Sequence, residues 1–324
     1  MSVTSAIPCR LCGEEAKFRF SGTVLQAHEV GYFECSQCGS LETGEPYWLP
    51  EAYRRHLTVL DVGAAQRCLL NSMVCAYILE AVGITSQQSC LDWGGGDGLF
   101  TRMMRDRGFN FVSYDKYAVP IYSQGFSTES SEKLSPAVVT AFEVLEHLPH
   151  PQEDLEQLFS LNPALLIVTT LLYQEQGQDW WYLSPEGGQH VFFYSRKAMQ
   201  SIASRFGYKF VELPQVMLFV SEERLLSAAS AQDGRSSAAK PHVSLGGLLL
   251  RLRQNVQSYR RAVRSFQRPQ GLRGLLLHPE ETLDIAANRF MQHLQDPWRH
   301  VSADLESVTE KLRGDAARLV GKDQ

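Results

Sequence analysis

The stretch CLDWGGGDGLF, residues 90–100, decides the fold of this 324-residue chain. It places four glycines within positions 94–98, directly after one apolar run and before another. Glycine this dense is costly inside a helix or a strand, because it loses more backbone freedom on folding than any other residue. The stretch therefore predicts a turn whose bare backbone is approached closely by a ligand or by another part of the chain.

Alternating helical and strand patterns surround this turn. Apolar residues at helical spacing predict a helix over 66–82, with Gly83 as its end. Short apolar runs then alternate with amphipathic segments, which indicates βαβ units. We expect an α/β fold with a doubly wound, mainly parallel sheet of seven strands and an antiparallel edge. The strands that the pattern assigns are 89–93, 109–115, 137–142, 164–170, 208–213 and 216–221, and the helices among them are 99–107, 151–161 and 195–206.

The spacing of the glycines discriminates between cofactors. A dinucleotide fingerprint needs a glycine at position 99, where this chain has leucine, and no Walker lysine follows the loop. The chain instead carries a DxGxGxG pattern, formed by Asp92, Gly94, Gly96 and Gly98. Asp115, which ends the next predicted strand, is suited to accept hydrogen bonds from ribose hydroxyls. These residues predict a ribose-bearing cofactor without a pyrophosphate, whose positive charge Asp92 would favour.

Three motifs in order resemble those of the class I S-adenosylmethionine-dependent methyltransferases. They are DWGGGDG at 92–98, YDKY at 114–117 and AFEVLEHLPHP at 141–151, and the similarity covers roughly residues 66–222. The resemblance implies that the three glycines of the pattern pack under the methionine and ribose part of S-adenosylmethionine. It also implies that Asp92 lies near the methionine amine, that Asp115 binds the ribose, and that Phe142 and Glu143 line the cofactor.

Four of the seven cysteines form two CxxC pairs near the N-terminus: Cys9, Cys12, Cys35 and Cys38. Four thiolates suit tetrahedral Zn²⁺, and the short segment between the pairs cannot build a core without a metal. We expect a structural zinc ribbon over residues 1–50; a redox pair is the alternative, but it does not need a second CxxC. The order of a zinc module followed by such a core resembles the domain order of the sugar C-methyltransferases and of their relatives in surface-polysaccharide clusters. This similarity implies a sugar, a nucleotide sugar or a glycan intermediate as the acceptor.

A long connection over residues 171–195 is the candidate acceptor side, because long loops in compact domains tend to be functional. Trp180, Trp181 and Tyr182 are predicted to stack on a sugar face or to close over the cofactor, with ordinary packing as the alternative. Histidine is the usual general base near neutral pH. We therefore predict His190 and His147 as catalytic residues. Glu146 and His150 are further candidates, and each of these side chains could instead only fix a loop.

The sequence of the last hundred residues predicts a linker and a basic helix. Residues 228–241 are small and polar, and the segment Arg251–Arg273 combines an apolar helical face with arginines. That segment is predicted to pack on the core with a solvated basic face, to bind phosphate or an anionic surface, or to contact a partner. Further amphipathic helices at 281–294 and 303–319 suit a cap or a homodimer interface.

We expect a methyltransferase domain over 51–225 and a helical C-terminal region over 226–324. Two alternatives stay open: an RNA methyltransferase that grips RNA with its zinc ribbon and Arg-rich helix, and a non-catalytic scaffold that binds the cofactor. Nucleic acid is disfavoured by the net charge of −5 and by FEVLEH, which differs from the motif of base amino-group methylation. The N-terminus shows no basic region before an apolar stretch, which predicts a cytoplasmic location.

Overall fold

Eleven strands and six helices form the part of the chain that the computed structural model describes, residues 5–54, 63–132, 134–213 and 215–230. All of it belongs to one compact unit, Met1–Leu252. The strands are β1 Ala6–Pro8, β2 Glu15–Val24, β3 His28–Cys35, β4 Leu41–Thr43, β5 Ser89–Trp93, β6 Asn110–Tyr114, β7 Val138–Phe142, β8 Leu165–Thr169, β9 Phe192–Phe193, β10 Lys209–Glu212 and β11 Met217–Val220. The helices are α1 Leu49–Ala52, α2 Ala64–Ala81, α3 Leu99–Asp106, α4 Pro151–Ser160, α5 Arg196–Phe206 and α6 Glu222–Ser230.

The larger sheet has the order β10-β11-β8-β7-β5-β6. Strands β6, β5, β7 and β8 are parallel, whereas β11 runs antiparallel to both β8 and β10. All five residues of β8, LLIVT, are buried, as expected for a strand that is covered on both faces. The predicted α/β sheet with an antiparallel edge is confirmed, and its strands lie within two residues of the predicted bounds.

The prediction of seven strands is not confirmed, because six strands pair in this sheet within the described residues. Beyond β6, at the outer edge, the chain makes a single parallel bridge between Ser113 and Ser127. Backbone hydrogen bonds from Ser113 to Phe126 and from Thr128 to Ser113 hold this bridge. The segment that follows is rich in serine, so it lacks the apolar run that would extend the bridge into a strand.

A second sheet, of order β1-β2-β3-β4-β9, joins the N-terminal module to the part of the chain that forms the larger sheet. Its last strand comes from the long connection at 171–195, so strand pairing crosses the boundary predicted at residue 50. Arg10 reinforces the junction: its guanidinium donates to the carbonyls of Pro149 and Val191 and forms a buried ion pair with Glu42. The N-terminal sheet therefore holds the segments on both sides of the predicted acceptor region.

The predictions for the Arg251–Arg273 segment, for helices at 281–294 and 303–319, and for a helical C-terminal region concern residues beyond 230, which lie outside the described residues. The predictions of a phosphate or anionic partner and of a homodimer interface depend on that part of the chain. Among the helices that the structure does describe, none combines the length and the apolar character that crossing a membrane requires.

Candidate functional site

The glycine loop leaves β5 at the carboxyl end of the parallel strands, where open α/β sheets bind their ligands. The N–H of Gly96 donates to Oδ2 of Asp115 at 2.9 Å, and this glycine has a φ of +57°. A Cβ atom added there would meet no protein atom within 4 Å, whereas one at Gly98 would lie 2.1 Å from the Ser123 hydroxyl. Gly98 is therefore required by the fold, while Gly96 presents bare backbone to open space.

Asp92 lies beneath the loop and is only 3% exposed. Its Oδ1 accepts a hydrogen bond from Thr140 at 2.8 Å, and its Oδ2 accepts one from Thr101 at 3.1 Å. Burial raises the pKa of Asp92 to about 6, although the two hydroxyls oppose the rise. These contacts give Asp92 a role in supporting the turn, and contact with a methionine amine stays a prediction.

Asp115 follows β6 and ties the loop to the next turn. Its Oδ1 accepts hydrogen bonds from the backbone N–H groups of Tyr117 and Ala118, both at 2.8 Å, and its Oδ2 accepts the bond from Gly96. Each carboxylate oxygen has two lone pairs, so Oδ2 keeps acceptor capacity for the ribose. Phe142, at the end of β7, packs edge-on against Phe100 with ring centroids 4.8 Å apart.

The segment after β7 lies directly beside the glycine loop. A Cβ atom at Gly94 would come within 2.7 Å of the Val144 side chain, so the two segments touch. Glu143 adopts a left-handed backbone with a φ of +53°, and its N–H donates to Thr169. Such a conformation is costly for a residue with a side chain, and it clusters at functional sites. A 3-10 turn, Leu145–His147, follows immediately.

Glu146 and Tyr182 form the buried part of a polar cluster. Tyr182 donates its hydroxyl to Oε1 of Glu146 at 2.7 Å and lies 3.4 Å from Oε2 of Glu143. Oε2 of Glu146 is buried and has no hydrogen-bond partner among the described residues. Burial raises the pKa of Glu146 to about 8; the Glu143 charge adds to the rise, and the hydroxyls of Tyr182 and Thr170 oppose it.

The two predicted catalytic histidines meet at this cluster although 42 residues separate them. The ring centroids of His147 and His190 are 5.0 Å apart, and a ligand atom from each ring lies within 4.8 Å of a carboxylate oxygen of Glu146. Burial lowers the pKa of His147 to about 3 and that of His190 to about 4. Both imidazoles are therefore neutral at neutral pH.

The three aromatic residues predicted to contact the acceptor occupy different environments. Tyr182 is buried in the polar cluster. Trp180 packs among Tyr173, Tyr182 and Phe193, with ring centroids between 5.4 and 6.1 Å away. Trp181 is 75% exposed. Trp181 is thus the most exposed of the three, and the contact of these residues with an acceptor stays a prediction.

The four N-terminal cysteines converge, and their sulfur atoms all lie within 4.8 Å of one another. The Sγ atoms of Cys9 and Cys38 are 3.8 Å apart, and those of Cys12 and Cys35 are 3.5 Å apart. Tetrahedral zinc with Zn–S bonds of ~2.3 Å separates its sulfurs by about 3.8 Å. The residues therefore fit a zinc ion.

Several residues of the site could not be identified from the sequence pattern. Thr101 and Thr140 hold Asp92 from α3 and β7, and neither belongs to a motif. Nε1 of Trp93 is buried at the start of the glycine loop without a partner in the described ranges.

A cavity of about 820 Å³ opens at the opposite, amino end of the strands, beside Ser89 and Ala137, away from the groups that carry chemistry.

Comparison with known proteins identifies the family of the chain. The methyltransferase domain family matches residues 48–213, just over half of the chain. The chain therefore belongs to the methyltransferase domain family and is an enzyme of the S-adenosylmethionine-dependent class. A comparison with curated proteins found no match.

Solved structures with a similar arrangement are distant in sequence. Magnesium protoporphyrin IX methyltransferase from Synechocystis PCC 6803 is 13% identical, with a TM-score of 0.39 over 55% of this chain and 98% of that one. The 1,6-didemethyltoxoflavin-N1-methyltransferase of Burkholderia thailandensis is 12% identical, with a TM-score of 0.41 over 62% of this chain and 97% of that one.

Proposed function

We propose that this methyltransferase acts on a small polar acceptor, with a sugar, a nucleotide sugar or a glycan intermediate as the first candidate. The observation that carries the proposal is that the segment bearing Glu146 and His147 touches the glycine loop through Val144 and Gly94, while His190 joins the same polar cluster. The loop offers bare backbone to a cofactor, and the cluster offers polar atoms to an acceptor. An apolar acceptor would leave the cluster without partners, which is unfavourable for buried polar groups.

The residues of the glycine loop would hold the cofactor. Gly96 offers close approach, Asp115 offers lone pairs to ribose hydroxyls, and Phe142 and Glu143 border the loop from the end of β7. When bound, S-adenosylmethionine supplies an electrophilic methyl group on a sulfonium. The chain's own contribution is to fix the acceptor against that methyl group and to exclude water, which is the larger part of such catalysis.

The acceptor must also lose a proton, and the two neutral histidines are the candidate bases. Their low pKa values make them weak bases at neutral pH, because a general base works best when its pKa lies near the working pH. Orientation of the acceptor is therefore expected to contribute more than proton abstraction by either ring. Trp181, exposed on the connection before β9, is the proposed stacking partner of an acceptor such as a sugar.

We further propose that Cys9, Cys12, Cys35 and Cys38 bind a structural zinc ion. The set of four thiolates leaves no open position for a substrate, which favours a structural role. The hydroxyl of Ser195 supports the site: it donates to the Cys38 carbonyl at 2.5 Å and accepts from the Ala198 N–H at the start of α5. The zinc turn would thereby fix the helix that follows the acceptor region.

The same proposal includes a cytoplasmic location and the domain limits 1–50, 51–225 and 226–324. The RNA methyltransferase alternative depends on arginines outside the described residues. No contact among the described residues favours it. The non-catalytic scaffold alternative is contradicted by the chain's membership of an enzyme class together with its intact cofactor loop.

Two measurements test the proposed function. Calorimetry should detect binding of S-adenosylmethionine to the wild type and not to Asp115→Ala, because the substitution removes the carboxylate that holds Gly96. Incubation with labelled cofactor and a metabolite extract, followed by mass spectrometry, should show a polar product heavier by one methylene unit. Binding without transfer to any polar metabolite, sugars included, would contradict the proposed acceptor class.

A further inference from the structure

We propose that Glu146, His147 and His190 bind one divalent metal ion, and that this ion holds a hydroxyl oxygen of the acceptor. The second half rests on the proposed function, whereas binding of the ion does not. The three side chains come from two segments that the fold brings together, the 3-10 turn after β7 and the connection before β9.

The spacing of the three side chains suits a shared ion. One ligand atom from each lies within 4.8 Å of the others. With metal–ligand bonds of ~2.1 Å, donors on opposite sides of an ion lie about 4.2 Å apart, so small side-chain rotations close the site. A set of two imidazoles and one carboxylate is a recurring arrangement for divalent metal ions that keep open coordination positions.

The carboxyl group of Glu146 has one oxygen available to a cation. Its Oε2 is buried and unpartnered in the described part of the chain, while Oε1 is already occupied by the Tyr182 hydroxyl. Glu143 adds a second carboxylate beside it. Within the same part of the chain, no lysine or arginine forms an ion pair with either acid. A buried carboxyl oxygen without a hydrogen-bond partner is costly, and coordination to a cation removes that cost.

The imidazole of His190 is oriented as a ligand. Nδ1 of His190 lies 2.6 Å from the Tyr182 carbonyl oxygen and donates to it, which leaves the Nε2 lone pair free. Metal-binding histidines are commonly fixed in this way, by a hydrogen bond from the nitrogen that does not bind the metal. Tyr182 therefore supports the site twice, through its carbonyl on His190 and through its hydroxyl on Glu146.

The backbone around the cluster is fixed before any ion arrives. The Val191 N–H donates to the Glu146 carbonyl at 2.9 Å, which joins the two segments next to the ligands. The His147 N–H donates to the Val144 carbonyl at 2.9 Å, and Val144 packs on Gly94 of the cofactor loop. The ion would consequently lie beside the cofactor rather than at a remote face of the domain.

Three protein ligands leave coordination positions for oxygen atoms of the acceptor. A bound divalent ion lowers the pKa of a coordinated hydroxyl, which favours loss of its proton during the transfer. The acceptor class is therefore a compound with a hydroxyl group next to a second oxygen donor, such as a vicinal diol. In the transfer, the acceptor oxygen gains the methyl group as the carbon–sulfur bond breaks, the electron pair stays on sulfur, and the hydroxyl proton passes to water.

A titration of the full chain with Mn²⁺ tests the metal site. Binding is measured as the loss of the electron paramagnetic resonance signal of the free ion. Mn²⁺ prefers oxygen and nitrogen ligands over thiolates, so once a single equivalent of zinc is bound at the cysteines and free zinc is removed, Mn²⁺ reports on this cluster. One Mn²⁺ should bind per chain. Glu146→Gln, His147→Gln and His190→Gln should each weaken binding by at least about tenfold, and Tyr182→Phe by about tenfold through the lost support of Glu146.

The matched control is His150→Gln, which alters an exposed histidine in the same segment and should bind Mn²⁺ as the wild type does. Each variant is also titrated with S-adenosylhomocysteine, so a misfolded variant is recognised by the loss of both ligands. Equal Mn²⁺ binding by the wild type and the three ligand variants, with Co²⁺ giving the same result, would overturn the proposal. Failure of methyl transfer with intact Mn²⁺ binding would instead count against the proposed acceptor.

Discussion

Gly96 offers a test of cofactor contact that separates binding from folding. Gly96→Ala places a methyl group in a left-handed backbone but in open space, so it should lower the free energy of unfolding by only about 1 kcal/mol. Gly108, after α3, has a φ of +86° and equally open surroundings, so Gly108→Ala carries the same backbone cost away from the site. We expect only Gly96→Ala to weaken S-adenosylhomocysteine binding, by tenfold or more in calorimetry. Equal affinities for the two variants would show that the open side of Gly96 is not occupied by the cofactor.

Asp92 predicts a pH dependence of stability. Burial raises its pKa from 3.8 to about 6 in the folded chain, so the folded state binds more protons between these values. Stability from this group should therefore fall as pH rises from about 4 to 6, by about 3 kcal/mol in total. Asp92→Asn should flatten that slope in urea unfolding, since Thr101 and Thr140 can still hydrogen-bond to the amide. The exposed neighbour Asp97→Asn is the control, and an unchanged slope in Asp92→Asn would contradict the assignment.

The connection before β9 carries two adjacent tryptophans. Replacing Trp180 should change stability, whereas replacing Trp181 should change acceptor binding. Trp180 packs against Tyr173 and Phe193, so Trp180→Ala should lower the free energy of unfolding by about 3 kcal/mol. Trp181 is exposed, so Trp181→Ala should change stability by less than about 0.5 kcal/mol. If Trp181 stacks on the acceptor, its variant should raise KM for the acceptor and leave cofactor affinity unchanged. An unchanged KM would remove Trp181 from the acceptor site.

The elements of the larger sheet could be predicted from the sequence because each is a local pattern. Its strands are short apolar runs, and Ser195 and Gly207 bound α5 as a cap and a left-handed end. Strand β9 could not be predicted, because two phenylalanines become a strand only by pairing with β4, far away in the sequence. Glu143, Glu146 and His147 could be identified because they belong to one sequence motif. The position of His190 next to them depends on the tertiary fold, so the sequence did not predict it.

At the scale of the whole molecule, the cysteine turns pack into the core of the methyltransferase domain rather than standing apart. Cys9, Cys35 and Cys38 belong to the same buried cluster as Leu145 and Met199, which lie on the 3-10 turn and on α5. A metal at the cysteines would therefore stabilise the segments that carry Glu146 and His147, as well as its own turns. The shared sheet and the Arg10 contacts extend this coupling to His190 through its neighbour Val191.

Loss of zinc should consequently affect the entire described unit. Cys35→Ser should lose the zinc measured by mass spectrometry, unfold in one transition at a lower Tm, and bind Mn²⁺ less well, because metal binding energy at a structural site is folding energy. Cys68→Ser, in α2 and outside the cysteine cluster, should retain zinc and Mn²⁺ binding. Two separate transitions in Cys35→Ser, with the upper one at the wild-type Tm and unchanged Mn²⁺ binding, would show that the zinc module is an independent attachment. The β4–β9 pairing and the bond from Ser195 to Cys38 lead us to expect the single transition.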